Sequence, residues 1–232
     1  MNSALCPTSD PRQNLLLAGL PEAEWSRWQP CLELVNLPLG QVLSESGRAP
    51  GYVYFPTTAI VSLLYMTQDG ASSEIAVVGN DGVVGISLFM GGNSTPSEAV
   101  VQSAGQGYRL RAQAVRDEMD RAGPVLKMVL GYTQALMAQV AQTAACNRYH
   151  SIDQLMCRRL LLSLERLPSA AMVMTQELLA NLLGVRREGV TAAALKLQHD
   201  GVIRYSRGHI DVLDRHRLQQ RTLEQPSMAL AA

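Results

Sequence analysis

The run TQELLANLLGVRREGVTAAALKLQ at residues 175–198 places two arginines and a glutamate at the start of an amphipathic segment. Arg187 carries a planar fork that can bond guanine O6 and N7 together, and Glu188 can accept from cytosine N4. The pair therefore has the chemistry of base-edge recognition. Gln176, Arg186, Thr191 and Lys196 suit phosphate oxygens, which set affinity and register but carry no base information. Such chemistry needs a helix that presents its N-terminal end outward.

The order of residue types supplies one. Thr175 is a plausible N-cap for a short helix. With Gln176 as position one, the small Ala180 falls fifth, where two helices would cross closely. Gly184 falls ninth, at a tight turn that calls for positive φ. Leu179, Leu183, Val185, Val190 and Ala193 put apolar groups at positions four, eight, ten, fifteen and eighteen. All the geometrical requirements of a helix-turn-helix are met in one register. A second helix is expected to begin near Arg186 and to expose Arg186, Arg187, Glu188, Thr191 and Lys196. The following GVIRYSRGHIDVL at residues 201–213 reads as two alternating strands meeting at Arg207-Gly208, a β-hairpin wing. Arg204, Arg207 and His209 charge that wing positively, with Arg207 at its tip to meet backbone phosphate. A solvated helical hairpin with an ordinary exposed β-turn is the plain alternative.

These elements sit at the end of a chain with three textures. Residues 34–110 are rich in glycine and β-formers, with short apolar runs separated by Asp69-Gly70, Asn80-Asp81-Gly82, Gly91-Gly92-Asn93 and Gly105-Gln106-Gly107. That spacing predicts an antiparallel barrel or roll. Residues 15–31, around Trp25 and Trp28, read as a short helical entry. After Pro124 the pattern turns helical. Leu126, Leu130, Thr133, Met137, Val140 and Ala144 form an a/d seam, with Val129, Leu136, Ala138 and Ala141 as a second apolar face. A helix with two apolar faces can pack on its own domain and on a partner helix; packing on its own domain alone would give a similar stripe. Ser151 and Asp153 are N-cap residues, so a break is expected at residues 148–153 and a new helix over 154–167, stopped by Pro168-Ser169. The expected organisation is a sensor at 15–123, a dimerisation helix at 124–150, a DNA-binding domain at 151–222 and a frayed tail at 223–232.

Residues 1–150 carry a net charge of −3 and residues 151–232 a net charge of +3, an asymmetry that suits a sensor joined to a nucleic-acid binder. No apolar run approaches the ~20 residues that span a bilayer, and no secretory pattern opens the chain; a cytoplasmic, non-membrane protein is expected. Cys6, Cys31, Cys146 and Cys157 form no CxxC pair and no zinc spacing, so free thiols are expected, with a cluster or redox switch built from distant cysteines as the alternative. There is no GxSxG, P-loop or HExxH, and His150, His199, His209 and His216 lack partner spacing, so an enzyme is not expected. Gly79, Gly82 and Gly85 recur every third residue in a barrel turn rather than between strand and helix, unlike a nucleotide fingerprint.

The chain resembles the cyclic AMP receptor protein and fumarate–nitrate regulator (Crp/Fnr) family of transcription regulators over residues 15–217. The likeness is strongest at GVRREGV (184–190) and GVI (201–203), with looser echoes at YFP (54–56) and GNDGVVG (79–85). The resemblance implies an α+β chain with an N-terminal β-roll of cyclic-nucleotide-binding type, a long dimerisation helix and a C-terminal winged helix-turn-helix. It also implies a homodimer, double-stranded DNA with a palindromic site, and RNA polymerase as a partner. In the family's recognition helix an arginine follows the glutamate by four residues; Ala192 stands there, which predicts a related but different target. The family's cyclic AMP site uses Gly-Glu, then Arg-Ser about ten residues on. Here the turn reads Gly85-Ile86 and the later site Thr95-Pro96-Ser97-Glu98, so ordinary cyclic AMP is not the expected effector. Gly85, Ile86 and Ser97, with Gln142 and Thr143 on the long helix, are the candidate effector residues by resemblance. No cofactor is assigned: the close N-terminal cysteine group of the family's oxygen sensors is missing, and no haem ligand pair stands out. The expected function is a DNA-binding transcription regulator with another effector or none. The rival is a ligand-binding or protein-interaction module whose winged helix does not touch DNA.

Overall fold

The computed structural model describes residues 10–67, 72–92, 94–167 and 171–223. Cys6, the turns at Asp69-Gly70 and Asn93, the stop at Pro168-Ser169 and the tail after residue 223 lie outside the described residues. The chain forms two compact units, residues 1–62 with 78–136 and residues 63–77 with 137–232.

In the first unit the helical entry is α1 (Leu15–Ala18) and α2 (Glu22–Trp28), separated because Pro21 cannot donate into a continuous helix. Along the chain the strands follow as β1 (Glu33–Leu37), β2 (Val42–Ser44), β3 (Tyr52–Pro56), β4 (Ile60–Met66), whose residues from Leu63 count with the second unit, and β5 (Ser72–Val78), which counts with it up to Val77. Next come a single-turn helix α3 (Ile86–Phe89), β6 (Ser97–Ser103), β7 (Gly105–Arg111) and α4 (Ala112–Met119). The strand orders are β1-β7-β3 and β2-β6-β4-β5. Arg109 at the centre of the first sheet lies opposite Glu33 on one side and Tyr54 on the other. Its guanidinium meets Glu33 at 2.7 Å and lies 4.3 Å from the centre of the Tyr52 ring. The hydrogen bond from Arg109 holds the Glu33 carboxyl below its ordinary range. Alternate residues Val53, Phe55 and Leu110 turn to the opposite face and join Leu17, Trp25, Trp28 and Val115 in one core. Strand alternation thus gives the sheet one dry face and one charged, aromatic face.

The long helix α5 runs over Pro124–Tyr149. Val125 and Val129 are buried in the first unit's core, whereas Leu130 and Met137 are exposed. The second apolar face is shorter than the sequence suggests: Leu136 is half-buried, and Ala138 and Ala141 are exposed. No helix among the described residues is long and apolar enough to cross a membrane.

The second unit begins its C-terminal part with α6 (Ile152–Leu164), which starts two residues before the expected start and stops earlier. Ser151 is its N-cap and makes a capping box with Gln154, in which Gln154 Oε1 accepts from the Ser151 N–H at 2.9 Å. Then come β8 (Ala171–Val173), α7 (Gln176–Leu183), α8 (Arg187–His199), β9 (Ile203–Ser206), β10 (His209–Val212) and α9 (Arg215–Leu223). The small sheet has the order β8-β10-β9. Met156, Leu160, Leu179, Val190, Leu197, Ile203, Ile210 and Leu218 form a dry core. From β5, Glu74 reaches Arg159 of α6 at 3.0 Å, both side chains being almost fully buried.

A candidate nucleic-acid interface

Helix α7 is built by its two ends. At the start, the Thr175 hydroxyl accepts from the Leu178 N–H at 3.1 Å, which satisfies one of the donors a helix start leaves open. At the end, Gly184 has φ +64° and ψ +34°. The Gly184 N–H reaches the Asn181 carbonyl at 3.3 Å and the Val185 N–H reaches the Ala180 carbonyl at 3.0 Å, the two bonds of a Schellman stop. Alanine at position 184 is expected to lower stability by about 1–2 kcal/mol through the left-handed backbone alone. A Cβ there would meet only the Ser73 side chain, at an ordinary 3.4 Å. Asparagine, which tolerates that backbone, should cost less. Urea unfolding of the three proteins checks this, and equal stability of the glycine and alanine forms would contradict it.

Arg186, in extended conformation, caps α8, so Arg187 and Glu188 occupy its first turn; all three are exposed. Val190, Ala193, Ala194 and Leu197 bury the opposite side. Gly189 lies against α6, where a Cβ would stand 2.6 Å from Cδ1 at the far end of the Ile152 side chain. Arg187 and Glu188 are thereby held on a supported helix, both exposed.

Two expected phosphate contacts are already engaged within the chain. Thr191 is half-buried rather than exposed, its hydroxyl 2.8 Å from Gln176 Oε1 and 3.0 Å from the Arg187 carbonyl. It ties the start of α7 to α8. Lys196 keeps an exposed ammonium, but Asp153 Oδ2 lies 2.5 Å away, and that hydrogen bond raises the lysine pKa. Its charge is largely answered from within.

The wing turn has φ +50° at Arg207 and +82° at Gly208, the two positive values of a tight hairpin that matches strand twist. Arg204, Arg207 and His209 are exposed. Tyr205 anchors the wing: its hydroxyl donates to the Met174 carbonyl at 2.8 Å, and its N–H donates to Gln198 Oε1 at 3.1 Å. Burial pushes the Tyr205 phenol pKa up, which keeps that donor protonated. A groove of about 550 Å³ lies between α8 and the wing, lined by Gln176, Arg187, Leu195, Tyr205 and Arg207 among others. The structure thus brings Gln176, Arg187 and Arg207 to one groove, with Arg186 and Glu188 exposed at the start of α8. Leu195 and Tyr205 were not expected there. The only sequence signal for Leu195 was its place one turn beyond Ala192, and alternating burial on a helix is ambiguous to within one residue.

The candidate effector residues divide between the units. Gly85, at φ +95°, caps α3 and packs against Val53, Ile86 is half-buried, and the buried Ser97 hydroxyl lies 2.9 Å from that of Thr95. These three belong to the first unit, whereas Gln142, which is exposed, and Thr143 belong to the second. The Thr143 hydroxyl donates to the Gln139 carbonyl at 2.9 Å and accepts from Arg158 at 3.4 Å. The Tyr132 hydroxyl of α5 donates to the Val83 carbonyl at 3.2 Å, and a Cβ on Gly82 would collide with that hydroxyl oxygen at 2.5 Å. The glycine at position 82 therefore seats the long helix on the turn before α3.

Among the described residues no group of three or more His, Cys, Asp or Glu side chains could hold a metal ion. Cys31, Cys146 and Cys157 are free thiols, and burial pushes the Cys157 pKa up to about 11, so it stays protonated at neutral pH.

Two family models match the sequence, a cyclic nucleotide-binding domain over residues 34–122 and a Crp-like helix-turn-helix domain over residues 156–221. No curated protein matches it. Among solved structures, a proposed transcriptional regulator of the Crp/Fnr family from Eubacterium rectale superposes with a TM-score of 0.72 at 17% identity, over 91% of this chain and 99% of that one. FixK2 from Bradyrhizobium japonicum gives a TM-score of 0.70 at 16% identity, over 82% and 96%. The c-di-GMP-responsive global regulator CLP from Xanthomonas campestris gives 0.65 at 15% identity, over 83% and 99%. At these identities the likeness is one of fold.

Proposed function

Since the chain belongs to the Crp/Fnr family of transcription regulators, we propose that it binds double-stranded DNA as a homodimer, one α8 in each of two successive major grooves. The observation that carries this reading is the groove between α8 and the wing, where Arg187, Arg207 and Gln176 converge beside the exposed Arg186 and Glu188. Arg187 and Glu188 read base edges. Arg186, Gln176 and Arg207 hold phosphate, with weaker help from Lys196, while Thr191 acts through Gln176 as a positioning residue.

The dimer contact in this reading is α5, within an organisation of sensor (15–123), dimerisation helix (124–150) and DNA-binding domain (151–222). Leu130 and Met137, exposed by 58% and 69%, stand seven residues apart on one seam, which is where a partner helix would bury them. Two-fold symmetry then asks for a palindromic site with half-sites about 34 Å apart. Gly85, Ile86 and Ser97, with Gln142 and Thr143, are the proposed effector residues. Ile86 offers no hydrogen bond to a ribose, so the effector differs from ordinary cyclic AMP. RNA polymerase as a partner and a cytoplasmic location follow from the same reading.

Selection of random duplex DNA by the purified full chain, followed by affinity measurement across a salt series, tests it. An enriched palindrome is expected, with affinity falling roughly 10³–10⁵-fold between about 50 and 200 mM salt if some 6–10 phosphates are neutralised by the dimer. No enriched sequence, or affinity flat with salt, would instead favour the protein-interaction module.

A further inference from the structure

We propose that Leu195 reads the 5-methyl group of a thymine, so that each half-site is selected by an apolar contact beyond the Arg187–Glu188 pair; this rests on α8 entering the major groove. On α8 the steps of four and three from Glu188 lead to Ala192 and Leu195, and all three are exposed. Leu195 is 63% exposed and lines the same groove as Arg187 and Arg207. Past its charged first turn, this row of the helix offers apolar groups at both positions. The adjacent cation, Lys196, is held by Asp153 of α6.

The major groove shows hydrogen-bonding groups on every base pair and one apolar group, the methyl carbon of thymine. A leucine set against a G·C pair would strip water from the O6 acceptor or the N4 donor and return no bond. Set against thymine it covers a methyl with a methyl and leaves no polar group stranded. Seven residues of helix separate Leu195 from Glu188 by about 10 Å, so the two side chains address different base pairs. The basic residues around the groove draw in the duplex, and the leucine then discriminates within it.

The test uses the site selected by the full-length protein, with each thymine replaced singly by deoxyuridine, which removes only the methyl. The wild-type protein is expected to lose about fourfold in affinity, the worth of one buried methyl, at one thymine position per half-site. Leu195→Ala is expected to bind the thymine duplex about fourfold less tightly or weaker and to ignore the same uracil replacement. Its position on the surface leaves folding intact, which circular dichroism and the unfolding midpoint verify. If the wild type binds its site but no uracil position separates it from Leu195→Ala, the thymine contact is wrong and the DNA-binding reading survives. If no site can be selected at all, both fall.

Discussion

Replacing Glu74 with alanine is expected to cost the second unit about 3–5 kcal/mol of stability. The Glu74 carboxylate lies 3.0 Å from the Arg159 guanidinium, with 8% and 3% of the two side chains exposed. Removing the carboxylate takes the Glu74 counter-charge from a buried guanidinium, and the bond from Arg159 to Ser163 at 3.0 Å joins it to a neutral group, which does not replace that charge. Glu74→Gln keeps the shape and a polar partner, so it should cost less. Replacing both residues with hydrophobic ones of similar volume should recover much of the loss, because the expensive state is a buried charge that has lost its close counter-charge. Urea unfolding of the single and double variants measures all three effects. A Glu74→Ala protein within about 1 kcal/mol of wild type would mean that water reaches the pair.

Arg187→Ala is expected to weaken binding to the selected DNA by about 1–3 kcal/mol, roughly 5- to 150-fold, and to relax the preference at one base pair of each half-site. The side chain stands exposed in the first turn of α8, and the helix behind it is held by Val190, Ala193 and Leu197, so truncation removes the contact without disturbing its support. Lysine at 187 restores charge but not the planar fork, and should recover affinity without recovering base preference. Arg186→Ala should weaken all sequences alike, as a phosphate contact does. Affinities for a complete set of single base-pair changes separate these outcomes. A uniform loss for Arg187→Ala would assign that side chain to phosphate instead.

The parts of the candidate interface that could be read from the sequence are those set by short-range geometry. The Thr175 cap, the left-handed Gly184 and the exposed Arg186-Arg187-Glu188 all depend on residues within a turn or two. The wing turn is equally local: Arg207-Gly208 between alternating strands allows few conformations. The break before α6 follows from Ser151 and Gln154 satisfying each other's backbone groups. The long helix was visible because one apolar period persists from Leu126 to Ala144 within its 26 residues.

Other outcomes depended on partners far away in the chain. Thr191 and Lys196 looked free because Gln176 and Asp153, their partners, lie 15 and 43 residues distant. Ala138 and Ala141 looked like part of a second apolar face, and within the single chain they are exposed; alanine carries too little apolar surface to require burial there. The Glu74–Arg159 pair joins residues in separate stretches of sequence and follows no periodicity.

Sequence alone determined the two helices and the wing of the helix-turn-helix, their stops and caps, and the exposed place of Arg187 and Glu188, because backbone preference and helical period act over a few residues. Tertiary structure decided which cations already have counter-charges, that Leu195 faces the groove while Ala194 beside it is buried, and that Glu74 lies against Arg159. Those outcomes require surfaces from distant segments to meet, and burial and ion pairing are properties of the assembled surfaces.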